Sequence, residues 1–192
     1  MTRYSALIID DDIWMQRILS KTLQSYGFKT IFLASNGFEG IDHAVEQKPD
    51  IIILDILMPE LSGHLTLKIL KHIQRTKNIP VIMVSALSDT ENLGLAVKSG
   101  TAGFISKPFT RATVYEKLAY VFGKEQLDAI IKGESVQLNP SMQNTDMDQF
   151  ITKENEQSAF ESSINLDEFR SESRDDKSNL DNIRKFLSKV RK

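Results

Sequence analysis

The chain has 192 residues, 41% hydrophobic and 26% charged, with a formal net charge of −2. That composition is ordinary for a globular protein with a real core, and the near-neutral balance favours neither a nucleic acid nor a membrane as partner of the whole chain. There is no cysteine, which excludes a disulfide framework, a cysteine metal site and a thiol catalyst.

The start, MTRYSALIIDDD, carries too short an apolar run for a signal peptide, and no run approaches the roughly 20 apolar residues of a spanning helix. A soluble cytosolic protein is the expectation. From Ala6 the pattern alternates. Ala6 to Ile9 reads as a first strand. Ile13 to Tyr26 has helical spacing through Ile13, Ile18, Leu19, Thr22 and Leu23, and Gly27 stops it. Phe28 to Ala34 reads as a second strand. Phe38 to Gln47 is helical through Ile41, Ala44 and Val45, ending before Pro49. Ile51 to Leu54 is a continuous apolar strand. Gly63 to Ile73 is helical through Leu67, Ile69, Leu70 and Ile73. Val81 to Val84 is a fourth strand, entered through Pro80. Thr90 to Lys98 is helical and closes at Gly100; Phe104-Ile105 is a short fifth strand; Thr110 to Phe122 is a further helix.

Five apolar strands alternating with amphipathic helices predict an α/β fold: a doubly wound, five-stranded parallel sheet with helices on both faces. Residues 1–123 form this domain. Residues 124–134 have the pattern of one more helix, with Leu127, Ile130 and Ile131 apolar and Gly133 at its end. Residues 135–176 are polar. Between Asn139 and Asp176 ten acids stand against three bases, a composition that buries too little to offset its ordering entropy, so a disordered linker is expected. Residues 177–192 differ again. Leu180, Ile183, Leu187 and Val190 fall on one helical face among lysines and arginines, predicting a basic amphipathic helix. Three readings stay open for it: a solvated helix, a partner-binding helix, or a segment that binds nucleic acid or an anionic membrane.

In a doubly wound sheet, functional groups gather beyond the carboxyl ends of the strands, where strand order reverses. In the order 2-1-3-4-5 that reversal lies between strands one and three. Asp10, Asp11 and Asp12 follow the first strand and Asp55 ends the third. Crowded carboxylates facing one crevice call for a cation, and hard oxygen donors suit Mg2+. Ser85 ends the fourth strand and Lys107 the fifth. A hydroxyl and an ammonium aimed at an acid-metal cluster suit phosphoryl transfer. Asp55, the acid that emerges alone from a buried strand, is the candidate acceptor.

The fragments IIDDD (Ile8 to Asp12), DILMPELSG (Asp55 to Gly63), VSA (Val84 to Ala86) and KPF (Lys107 to Phe109) together resemble the receiver domain of two-component response regulators, over about residues 4 to 123. The resemblance implies a flavodoxin-like fold of strand order 2-1-3-4-5. It implies that Asp55 takes a phosphoryl group from the phosphohistidine of a histidine kinase or histidine phosphotransfer protein. It implies Mg2+ held by Asp10, Asp11, Asp55 and the carbonyl of Leu57, with Ser85 and Lys107 on the phosphoryl oxygens and a cis Lys107-Pro108 bond. Phe104 stands where the family has an aromatic that rotates inward on activation; a plain core role competes with that reading. Asp12 then falls at the start of the first helix, as a cap.

Leu57 and Leu87, each two residues past a site residue, are expected to rim the pocket, leaving no polar group to orient a hydrolytic water. A long-lived phosphorylated state follows. His43, His64 and His72 share no metal-like spacing and are expected at the surface or its boundary. The expected function is a phosphorylation switch. Its output is a downstream protein partner or a phosphorylation-dependent homodimer, formed on the surface of the Thr90–Lys98 helix, the fifth strand and the Thr110–Phe122 helix. The competing class is a nucleic-acid-binding regulator acting through residues 177–192. A phosphatase with an aspartyl intermediate would need a second acid where Leu57 stands, so no enzyme is expected.

Overall fold

The computed structural model describes residues 4–86 and 100–133, all within one unit, Met1–Val136. The expected Thr90–Lys98 helix, Leu87, the linker 135–176 and the basic segment 177–192 lie outside the described residues. In chain order the elements are β1 (Ser5–Ile9), α1 (Ile13–Ser25), β2 (Thr30–Ala34), α2 (Gly37–Gln47), β3 (Ile51–Asp55), α3 (Gly63–His72), β4 (Val81–Ser85), β5 (Gly103–Ser106), α4 (Arg111–Phe122) and α5 (Lys124–Lys132).

The strands form one parallel sheet in the order β2-β1-β3-β4-β5. Side chains alternate along each strand, so consecutive residues reach opposite faces. Ala6, Ile8, Ile51, Ile53, Ile82, Val84 and Ile105 share a core with Leu19 and Leu23 of α1 and Val114 and Leu118 of α4. The alternate residues, Leu7, Ile9, Ile52, Leu54, Val81 and Met83, are equally buried. There α2 sits so close that a Cβ on Gly40 would fall 2.8 Å from Ile9 Cγ1. Burial on both faces is why β1, β3 and β4 read as unbroken apolar runs.

The first four helices of the described residues, α1 to α4, each start on a polar side-chain cap. Asp12 accepts from Trp14 N at 2.8 Å and Asn36 from Glu39 N at 2.9 Å. Ser62 caps α3, and Thr110 with Thr113 closes a reciprocal cap on α4. Two expectations are corrected. Phe28 is not in a strand: its N–H donates to Leu23 O at 3.2 Å, so it turns back under α1 and packs edge-on against Tyr4, and β2 begins at Thr30. On α1, Leu19, Thr22 and Leu23 are buried as expected. Ile13 and Ile18 are exposed, and Gln16 takes a place on the buried face.

Helix α5 is built into the same core. Leu127 and Ile130 are buried in the cluster with Tyr4, Phe28 and Phe122, and Ile131 faces out. Gly27 lies against the backbone of Ile130, where any Cβ would collide. Asp128 accepts a hydrogen bond from Tyr115 Oη at 2.9 Å, and Gln126 donates to Tyr4 Oη at 3.3 Å. Leu127→Ala is therefore expected to cost about 2–5 kcal/mol, as for any fully buried leucine, measured by urea unfolding. A cost below ~1 kcal/mol would show α5 to be peripheral.

Candidate functional site

Four strand ends converge at the carboxyl edge of the sheet. Register sets Ile9 beside Leu54, Asp55 beside Val84, and Ser85 beside Ser106. Asp10 follows β1 with its N–H donating to Ala34 O at 3.1 Å. The side-chain amide of Gln16 donates to Asp10 O at 2.7 Å and to Ala34 O at 3.0 Å. This glutamine fastens the turn after β1 to the end of β2. Its role was readable in principle: it is the polar residue on the apolar face of α1, in helical register with Leu19 and Leu23.

Four of the groups singled out in the sequence, Asp10, Asp11, Asp55 and Lys107, meet here. Lys107 Nζ donates to Asp55 Oδ1 at 2.7 Å and to Asp10 Oδ2 at 3.3 Å. Asp12 N donates to Asp10 Oδ1 at 2.9 Å. Carboxylate oxygens of Asp10, Asp11 and Asp55 lie within 4.8 Å of one another. Asp10, Asp55 and Ser85 are buried and Asp11 is exposed, so the cluster opens to solvent on the side of Asp11. Lys107 is positioned by its own N–H, which donates to Ser85 O at 2.6 Å, and the Lys107-Pro108 bond is cis. Phe104 sits half-buried on β5 beside Met83. Leu57 is exposed at 53%. Of the histidines, His72 is exposed and His43 and His64 are half-buried, none in the acid cluster.

Between Asp55 and α3 the chain makes a tight return. Leu61 N donates to Pro59 O at 2.7 Å, with Glu60 at a left-handed φ of 65°. Met58-Pro59 thus opens a compact turn that drives Leu61 fully into the core. Gly63 N then donates back to Ile56 O at 2.9 Å. A Cβ on Gly63 would collide with Asp55 O and fall 2.7 Å from Ile56 Cα. This glycine is what lets the loop close beneath Asp55, a role that the sequence pattern did not expose.

Burial raises the pKa of Asp55; the hydrogen bond and charge of Lys107 oppose it, Asp10 adds to it, and the Leu57 N–H opposes it. Asp10 is likewise raised, by burial first, against the Asp12 N–H and Lys107. Burial works against the Lys107 ammonium, but its bonds to Asp55 and Asp10 outweigh that and hold its pKa above the lysine value. The asymmetry is physical: one ammonium is served by two acids, whereas each acid has only a share of one cation. The cluster is short of positive charge by construction, which is the electrostatic signature of a cation site. Hard carboxylate oxygens at this spacing fit Mg2+.

A parallel 2-1-3-4-5 sheet with three acids and a lysine at its switch point defines a class, the CheY-like flavodoxin fold with an acidic pocket. The response regulator receiver domain model matches residues 6–119, and the chain belongs to that family, whose members serve two-component signalling. Chemotaxis protein CheY-3 of Vibrio cholerae is 34% identical over 116 residues, which cover 60% of this chain and 89% of that protein. The probable transcriptional regulator ycf27 of Guillardia theta is 31% identical over 109 residues, 57% of this chain and 41% of that protein. Among solved structures, CheY4 of Vibrio cholerae superposes with a TM-score of 0.59 at 28% identity, covering 62% of this chain and 99% of that one. CheY from the Borrelia burgdorferi CheX-CheY-BeF3-Mg complex gives 0.59 at 32% identity, with 62% and 89% covered. Receiver domains bind Mg2+ at an acidic pocket, and Asp10, Asp11 and Asp55 form such a pocket here. Among the described residues no helix is long and apolar enough to cross a membrane.

Proposed function

We propose that Asp55 is the phosphoacceptor, taking its phosphoryl group from a phosphohistidine on a histidine kinase or histidine phosphotransfer protein. The observation that carries this is the pair of bonds from Lys107 Nζ to Asp55 and Asp10 inside the three-acid cluster. Asp55 attacks phosphorus through a carboxylate oxygen as the histidine N–P bond breaks, and the histidine nitrogen keeps the electron pair. Lys107 and Ser85 hold the equatorial phosphoryl oxygens. Asp10, Asp11, Asp55 and the carbonyl of Leu57 would hold Mg2+, which when bound neutralises charge on the transferring group.

Phosphorylation adds about −1.5 to −2 charges at Asp55. Ser85 then moves toward the phosphoryl group and Phe104 turns inward, favouring a downstream protein partner or a homodimer on the β5–α4 side. The change is limited to the differential stabilisation of the two states. The chain acts as a cytoplasmic signalling switch and catalyses only its own phosphorylation and dephosphorylation. The test is intact mass after treatment with a small acyl phosphate and Mg2+. Wild type gains one phosphoryl group and Asp55→Asn gains none; equal labelling of the two would defeat the assignment.

Leu57 sets the lifetime of this state. Its exposed side chain offers no hydrogen bond to a hydrolytic water, so the acyl phosphate is expected to persist for minutes or longer. Leu57→Asn, whose amide can orient a water but not take its proton, should shorten the lifetime by about tenfold, less than the roughly hundredfold or more of a positioned general base. A wild-type half-life of seconds at neutral pH would contradict this.

A further inference from the structure

Gln16 stands among apolar residues on the buried face of α1, with Leu19 and Leu23. A buried amide is costly unless its hydrogens find acceptors. Its nitrogen carries two N–H donors, and both are used on main-chain carbonyls, Asp10 O at 2.7 Å and Ala34 O at 3.0 Å. Carbonyl oxygens accept only, so the nitrogen, not the oxygen, of the amide must face them. Asp10 N donates to Ala34 O as well, at 3.1 Å. The main chain of Asp10 is thus held through both its N–H and its C=O.

The Asp10 carbonyl lies in the peptide plane that ends in N and Cα of Asp11. Holding that oxygen therefore sets the direction in which the chain leaves toward Asp11. The two carboxylates differ in what else fixes them. Asp10 Oδ1 accepts from Asp12 N at 2.9 Å, and Asp10 Oδ2 from Lys107 Nζ at 3.3 Å. Asp11 is exposed and takes its direction from the main chain, yet it supplies one of the three oxygens within 4.8 Å of one another. We propose that Gln16 is a positioning residue for Mg2+: by locking the peptide between Asp10 and Asp11, its amide sets the affinity of the acid cluster for the ion without touching it, given a cluster that holds Mg2+ as proposed for phosphorylation of Asp55.

Mg2+ dehydrates reluctantly and demands near-ideal placement of its oxygens. A ligand whose direction wanders is therefore felt first in binding. Groups that orient metal ligands from outside the coordination sphere contribute about 10–100-fold in affinity. Once the ion is bound, it holds the acids itself, so the step at Asp55 is affected much less.

The full chain is titrated with Mn2+, which suits the same oxygen donors, and free Mn2+ is followed by paramagnetic resonance. Mg2+ is then added as competitor, with no phosphodonor present. The site counted is the one lost in Asp11→Asn. Gln16→Met keeps the length of the side chain and removes both donors. Gln16→Asn keeps the amide but shortens its reach; it is the milder change and carries the test if the methionine variant does not fold. Each should weaken Mg2+ binding by about tenfold or more. Leu23→Val thins the same buried face farther from the acids and should leave the affinity within about twofold of wild type. Thermal unfolding sets a temperature at which every variant is folded. With a small acyl phosphate, labelling of the Gln16 variants should need about tenfold more Mg2+ for half its maximal rate, while that maximal rate stays near wild type. A purely structural role would instead lower the rate at every Mg2+ concentration. Wild-type Mg2+ affinity in a folded Gln16 variant, or an equal loss in Leu23→Val, would overturn the proposal and leave the Mg2+ site standing. A wild type that binds neither ion would overturn both.

Discussion

Gly63→Ala is expected to destabilise the domain by about 3 kcal/mol, at the upper end of what one misplaced methyl group costs, and to slow phosphorylation of Asp55 as well. The cause is local. The added Cβ would collide with the carbonyl oxygen of Asp55 and press within 2.7 Å of Ile56 Cα. Both are backbone atoms of the strand that carries the acceptor, and no side-chain rotation relieves the overlap. Either α3 lifts away from Leu61, which is fully buried, or β3 shifts and takes the Asp55 carboxylate out of line with Lys107. Displacing a reacting group by about 1 Å can cost on the order of a hundredfold in rate. Urea unfolding and the rate of labelling by a small acyl phosphate measure the two effects separately. A variant with wild-type stability and rate would show that the return from Asp55 to α3 is looser than this geometry.

Asp55→Asn should have the opposite effect on stability. The carboxyls of Asp55 and Asp10 both titrate above the usual value of 3.8, chiefly because they are buried. The folded, metal-free chain therefore holds protons that the unfolded chain releases at lower pH. Between those pKa values these two groups bind more protons in the folded state, so their contribution to stability falls as pH rises from about 4 through the folded values, against the opposite contribution of Glu39, whose pKa the Ser35 hydrogen bonds lower. Asparagine removes one of these charges and keeps an oxygen for the Lys107 ammonium. Without metal at neutral pH the variant is expected to be more stable than wild type by about 1–2 kcal/mol, an ordinary size for a single-site effect. Its stability should also fall less between acid and neutral pH. Added Mg2+ should stabilise wild type and do much less for the variant. Thermal unfolding with chelator and with Mg2+, at several pH values, reads all three. A less stable variant, or a variant whose metal-free stability changes with pH just as wild type's does between acid and neutral pH, would contradict the charge account.

Much of this was legible along the chain because the sheet is buried on both faces. Runs such as Ile51 to Leu54 admit few other structures, and an acid directly after such a run has no ordinary place but an edge. The convergence of Asp10, Asp55 and Lys107 followed from strand order. What was not legible depended on contacts between distant segments. Ile13 and Ile18 have the spacing of core residues, yet the sheet takes Gln16, because Asp10 and Ala34 offer its amide two carbonyls. Phe28 extends an apolar run, but its backbone closes the turn from α1. Gly63 looks like any glycine at a helix start until Asp55 O is found against it. The caps at Asn36, Ser62 and Thr110 follow ordinary preferences and could have been read.

The measurement that bears most directly on the central claim is the location of the phosphoryl group. The full chain would be treated with a small acyl phosphate and Mg2+, reduced with borohydride, and mapped by peptide mass. Acyl phosphates are reduced at the carbonyl carbon, so an aspartyl phosphate leaves homoserine at its position. Conversion confined to Asp55, and absent when Mg2+ is chelated, is the expected result. Conversion at Asp10, Asp11 or Asp12 instead, or none at any acid of the cluster, would contradict the claim that Lys107 and its two carboxylates make Asp55 the acceptor.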